Sequence, residues 1–194
     1  MNNLKYFKKE IDYIKDENLK KDLEVLISKL PDYFFEIPAS STGKYHPKYS
    51  NGKMGLLKHT KAATTIAYTL LKNDTIGKKF NNKEKDLIIM ALILHDGFKL
   101  GKEKSKYSVF EHPLVVSEMI MNNKDQLQMS ITDVRKLCKM IESHMGQWDT
   151  NPYTKKQTLP QPVTECERFV HMCDFLSSKK FINIEFTGYE VSNI

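Results

Sequence analysis

Apolar residues recur at helical spacing along most of the chain, and the stretches between these runs carry Pro, Gly or clustered lysines. Over residues 3–30 the apolar positions are Leu4, Phe7, Ile11 and Ile14, then Leu19, Leu23, Val25, Leu26 and Leu30. That pattern predicts one or two amphipathic helices, ended by Pro31. Residues 36–55 (EIPASSTGKYHPKYSNGKMG) read as a mixed loop. Further helices are predicted over about 55–72, 82–96, 113–122, 131–145 and 161–180. Only FINIEF, near the C-terminus, alternates as a short strand would. The expectation is an all-α helical bundle over 36–194, preceded by an N-terminal helical segment at 1–35.

Certain polar residues fall on the apolar faces. His59 is followed at +3, +4, +7, +8 and +11 by Ala62, Ala63, Ile66, Ala67 and Leu70, so it points with the core face. The run DLIIMALILHD is apolar all round, predicting a central helix that ends at His95-Asp96, with Gly97 as a stop. His112 precedes Pro113 and shares a stripe with Val116, Met119 and Ile120. His144 continues the stripe of Val134, Leu137, Cys138 and Ile141. Asp174 continues that of Val163, Cys166, Val170 and Cys173. A lone inward histidine is usually a hydrogen-bonded core residue, and a lone inward aspartate is often a cap or salt-bridge partner. The joint pattern includes two carboxylates that need a cation, because burying an unpaired charge is costly. A shared metal ion meets that need. Mixed imidazole and carboxylate donors suit Mn, Fe, Zn, Co or Ni rather than Ca.

Composition narrows the setting. The chain has 194 residues, a formal net charge of +6 and 40% hydrophobic residues, enough for one domain with a full core. No apolar run reaches the ~18–20 residues of a membrane span. The charged N-terminus has no apolar leader region, and Cys138, Cys166 and Cys173 read as reduced thiols, so a cytoplasmic protein is expected. The cationic excess is almost all lysine, Arg135 and Arg168 being the only arginines. It is compatible with anionic substrates without establishing them.

Five segments in order carry a resemblance. MGLLKHT, LILHDGFKLG, EHP, ESHMGQWD and TECERFVHMCDFLSSK are similar to the motif segments of the HD-domain superfamily of metal-dependent phosphohydrolases, whose order H…HD…D falls here on His59, His95-Asp96 and Asp174. The resemblance covers about residues 36–180. It implies that His59, His95, Asp96 and Asp174 hold one divalent transition metal, and that Asp96 bridges to a second held by His112 and His144. Two departures stand out. The chain has His144-Met145 where dinuclear relatives often read HH, and HDGF before Lys99 where HDxG is usual.

The implied activity is hydrolysis of a phosphate ester of a nucleotide or nucleic acid, with Asp96 and Lys99 as catalytic residues. Lys99 lies three residues past Asp96, placed to meet a phosphoryl oxygen unless it is a solvated lysine. Lys102, Lys104 and Lys106, interleaved with Phe98, Tyr107 and Phe110, form either a nucleotide funnel or a plain polar loop. His46 either lines the substrate pocket or lies on the surface. Trp148 either roofs the pocket or packs. His171, beside Glu167, lies off the ligand stripe. The competing reading is a metal-stabilised domain that binds a nucleotide or partner without turnover. A weaker one is an RNA-binding accessory protein acting through lysines, which requires strong salt dependence.

Overall fold

The computed structural model describes residues 3–40, 43 and 46–192. The helices are α1 (Lys8–Ile11), α2 (Glu17–Ser28), α3 (Gly55–Lys72), α4 (Asp74–Gly77), α5 (Asn82–Leu94), α6 (His112–Asn122), α7 (Ile131–Glu142) and α8 (Glu165–Ser177). Four one-turn 3-10 segments lie between them or before α1: Asn3–Tyr6, Asp32–Phe35, Lys48–Ser50 and Lys124–Gln126. Among the described residues the strands are β1 (Phe186–Thr187) and β2 (Glu190–Val191), one antiparallel pair. The architecture is all-α.

α5 is the axis of the bundle. Leu87 through Leu94 are all buried, and α3, α7, α8 and α2 pack around it. Its start is set by a reciprocal capping box between Asn81 and Glu84. Thr164 and Glu167 do the same for α8. The apolar residues of the N-terminal section, among them Phe7, Ile11, Ile14, Leu23 and Leu26, enter the same core cluster as α5. That section breaks after Asp12, where the buried carboxylate of Asp86 accepts the N–H groups of Lys15 and Asp16 at 3.0 and 2.9 Å.

The start of α3 is locked onto the preceding loop. Ala39 N–H donates to Ser50 O, Met54 N–H to Glu36 O and Leu56 N–H to Ile37 O. A Cβ on Gly55 would lie 2.1 Å from Ser50 O, so only glycine fits there. This clamp sets the height and rotation of His59 one turn further on. Lys61, on another face of α3, is fully buried and donates to Glu10 at 2.7 Å and to Glu190 at 3.0 and 2.9 Å. It ties α1 and β2 to α3.

Two expectations are corrected. FINIEF forms no six-residue strand; only its last residue, Phe186, joins the ladder, which turns back at Gly188. Phe181 is 81% exposed while Ile182, Ile184 and Phe186 share a face that is only half buried, and the pairing reaches back to the bond from Ser192 N–H to Glu185 O at 2.9 Å. Val163 is not on the α8 stripe: it precedes the Thr164 cap and is exposed.

Candidate metal centre

Six side chains converge where α3, α5, α6, α7 and α8 meet. His59 comes from the second turn of α3, His95 and Asp96 from the turn that ends α5, and His112 from the first turn of α6. His144 follows the end of α7, and Asp174 lies in the last turn of α8. His59, His95, Asp96, His112 and His144 are buried; the Asp174 side chain keeps 18% exposure.

The two oxygens of Asp96 face different histidine pairs. Oδ2 lies 3.8 Å from His59 Nε2 and 3.6 Å from His95 Nε2. Oδ1 lies 2.8 Å from His112 Nε2 and 3.7 Å from His144 Nε2. Asp174 Oδ1 completes the first pair, at 2.9 Å from His59 Nε2 and 3.4 Å from His95 Nε2. Donor atoms of His59, His95 and Asp174, and likewise of His95, Asp96 and His144, lie within 4.8 Å of one another.

The other ring nitrogen of each histidine is already engaged. Nδ1 of His95, His112 and His144 contacts the backbone oxygens of Leu92, Val109 and Ile141 at 2.7, 2.8 and 2.7 Å. A carbonyl only accepts, so Nδ1 carries the proton in each. His59 Nδ1 lies 3.1 Å from Ser177 Oγ, whose own proton goes to Asp174 O at 2.7 Å, so His59 too donates from Nδ1. With Nδ1 so engaged, an imidazole that carries no proton on Nε2 turns a lone pair there toward carboxylate oxygens that also offer lone pairs. Facing lone pairs repel unless a cation lies between them. Among the described residues His95 Nε2, Asp96 Oδ1 and His112 Nε2 are buried without a hydrogen-bond partner, although the last two are only 2.8 Å apart. Donors oriented by outer hydrogen bonds, with orphaned inner atoms, fit a divalent transition metal.

Both carboxyls are held ionised. Burial pushes the Asp96 carboxyl up, yet Lys99, His95 and the imidazoles of His112 and His144 hold it well below the usual carboxylate range. Asp174 is held down in the same way by His59 and His95. Burial lowers His144 to about 4, so its ring is neutral and free to ligate at neutral pH. His95 is raised, because Asp96 and Asp174 outweigh its burial.

Lys99 turns inward: Nζ donates to Asp96 Oδ2 at 2.7 Å and the side chain is 17% exposed. His46 joins the centre, its ring 5.5 Å from that of His59, its Nδ1 buried without a partner. Burial, helped by His59 and Lys99, lowers it to about 4. His46 also lines a cavity of ≈ 510 Å³ with Tyr49 and Lys180. Lys104 and Lys106 line a cleft with Lys99. Lys102 does not join them; its ammonium pairs with Glu118 at an exposed position. Phe98 is buried in the core cluster rather than offered to a ligand. Trp148 is half exposed and packs on Phe175.

Two supporting residues escaped the sequence reading. Ser177 lies three residues beyond Asp174 and so on its face, but a serine there carries no signal until His59 is seen beside it. His171 donates from Nδ1 to His144 O at 2.7 Å, and a Cβ on Gly146 would lie 2.2 Å from its ring. It braces the turn that carries His144, which its position off the ligand stripe did not disclose.

A family model, the HD domain, matches residues 56–178, a span running from α3 to the residue after α8 and containing all six converging side chains. Neither curated proteins nor solved structures give a match. With the ordered histidines and aspartates brought together in one buried centre, and with the family model covering well over half of the sequence, the chain belongs to the HD-domain family.

Proposed function

We propose that the protein is a metal-dependent phosphohydrolase acting on a phosphate ester of a nucleotide or nucleic acid. The observation that carries the reading is the division of Asp96 between two histidine pairs. His59, His95, Asp96 and Asp174 would hold one Mn, Fe, Zn, Co or Ni ion, and Asp96 with His112 and His144 a second. Bound there, such ions supply Lewis acidity and a hydroxide nucleophile at neutral pH.

The chain's own groups do the rest. Asp96 and Asp174 stay ionised and so neutralise the cationic centre. Lys99 holds one oxygen of Asp96 and presents its ammonium as a point charge to a phosphoryl oxygen. His46, neutral at working pH, walls the side toward the ≈ 510 Å³ cavity, where it orients the bound ester without adding positive charge. Burial of the ligands excludes bulk water and strengthens each of these interactions. His112 and His144 would hold a second Lewis acid, and that extra pair tilts the reading toward a diester over a monoester.

The test is hydrolysis of model diesters and monoesters by protein loaded with each metal in turn. Turnover should vanish on chelation and in His95→Ala and Asp96→Ala; wild-type rates in both variants would remove the proposal. Among the described residues three side chains, Asp96, His112 and His144, converge on the second half of the centre, with Met145 following His144. That favours, as the second reading, a metal-stabilised binding domain, which would retain metal and bind nucleotide yet form no product.

A further inference from the structure

We propose that Trp148, seated on Phe175 beside Lys179, is a stacking platform for an unpaired nucleobase next to the scissile phosphate. The inference rests on the hydrolytic reading above and names the feature of the substrate that this site would recognise.

The platform is mounted on the two segments that carry metal ligands. Trp148 lies four residues past His144, held by a turn in which its N–H donates to Met145 O at 3.2 Å. Phe175 directly follows Asp174 on α8. The indole and the Phe175 ring stack with centroids 5.9 Å apart and planes inclined by 20°. His171, which braces His144, approaches the indole at 6.3 Å and Phe175 at 6.1 Å. Whatever sits on Trp148 is therefore tied in position to the centre.

The indole is built to be covered. It is the chain's one tryptophan, and it stays 47% exposed while Phe, Leu and Ile fill the core. Leaving so large an apolar surface in water forgoes the stabilisation that covering it would bring. One face is supported by Phe175 and so held in a fixed plane, a low-entropy surface for another flat ring. Lys179 Nζ lies 3.6 Å from the Phe175 centroid and 5.9 Å from that of Trp148. An aromatic pair with an ammonium this close suits a flat base followed by a phosphate, the pairing found in single-strand binding.

The single tryptophan makes the test direct. Tetrauridylate should quench its fluorescence saturably, and the same strand lacking its bases should not. In turnover, Trp148→Ala should raise KM for tetrauridylate about 5- to 100-fold with kcat little changed. Trp148→Phe should restore most of the loss, and neither variant should alter KM for the abasic strand. Equal quenching by both strands, or none, together with equal KM changes for both, overturns the platform while leaving hydrolysis standing. Base-dependent quenching with no turnover of any ester keeps the platform and removes the hydrolytic reading.

Discussion

Removing one hydroxyl, Ser177→Ala, probes how the centre is held without touching a ligand. Ser177 is fully buried, accepts from His59 Nδ1 at 3.1 Å and donates to Asp174 O at 2.7 Å. Its own carbonyl accepts from Tyr49 Oη at 2.6 Å, a main-chain bond that the substitution spares. Alanine leaves the Nδ1–H of His59 buried and unpaired, costing about 1–3 kcal/mol of metal-free stability. It also frees the ring to rotate or change tautomer, so that Nε2 no longer faces Asp174 reliably. Loss of such an outer hydrogen bond typically weakens metal binding about 10- to 100-fold, or about 1.4–2.7 kcal/mol. Two assays separate the effects: denaturant unfolding in chelator, and titration of the metal-free protein with Mn²⁺. Both should shift. A variant with unchanged unfolding midpoint and Mn²⁺ affinity within twofold of wild type would refute the reasoning that Ser177 orients His59.

Three more expectations come from other parts of the fold. Lys99→Met keeps the stem but removes the charge beside Asp96 Oδ2; metal content should persist while kcat falls about 10²-fold, and wild-type kcat would exclude Lys99 from the chemistry. Lys61→Met leaves Glu10 buried without its partner and should cost about 3–5 kcal/mol in urea unfolding, whereas pairing it with Glu10→Leu should recover much of the loss; equal losses in both would contradict the pairing. Burial raises Tyr33 to about 12 while its hydroxyl donates to Gly101 O. Its folded pKa exceeds the unfolded value near 10, so the stability it contributes is present below pH ~10 and is lost as pH rises toward 12. Tyr33→Phe should be less stable at pH 8 yet lose less between pH 10 and 11.5; parallel curves for the two proteins would count against this.

The helices and the inward placement of the six converging side chains were legible because they rest on one-dimensional periodicity. An apolar stripe of period 3.6 places His59, His144 and Asp174 on core faces from sequence alone. The Pro113 and Gly97 punctuation places His112 and the His95-Asp96 pair at helix ends in the same way. What lay outside that reach depends on which elements meet. Ser177 and His171 matter only because α8 packs beside His59 and the His144 turn. Lys102 and Lys99 differ by three residues, yet the turn after Asp96 points one inward and leaves the other to Glu118. FINIEF alternates like a strand, but its Ile182, Ile184 and Phe186 face is only half buried and the ladder takes in Phe186 alone of the six, opposite Val191. The Lys61 ion cluster joins residues 51 and 129 positions apart, beyond any local pattern.

The central claim is that four imidazoles and two carboxylates, carried by five helices and their ends, form a centre for divalent cations. Elemental analysis of the protein after metal loading and gel filtration tests it most directly, with His95→Ala and Asp96→Ala treated alongside. The account predicts one to two equivalents of a divalent transition metal per wild-type chain and almost none in the folded variants. A folded wild-type chain that emerges without metal, or variants that retain as much as wild type, would contradict it.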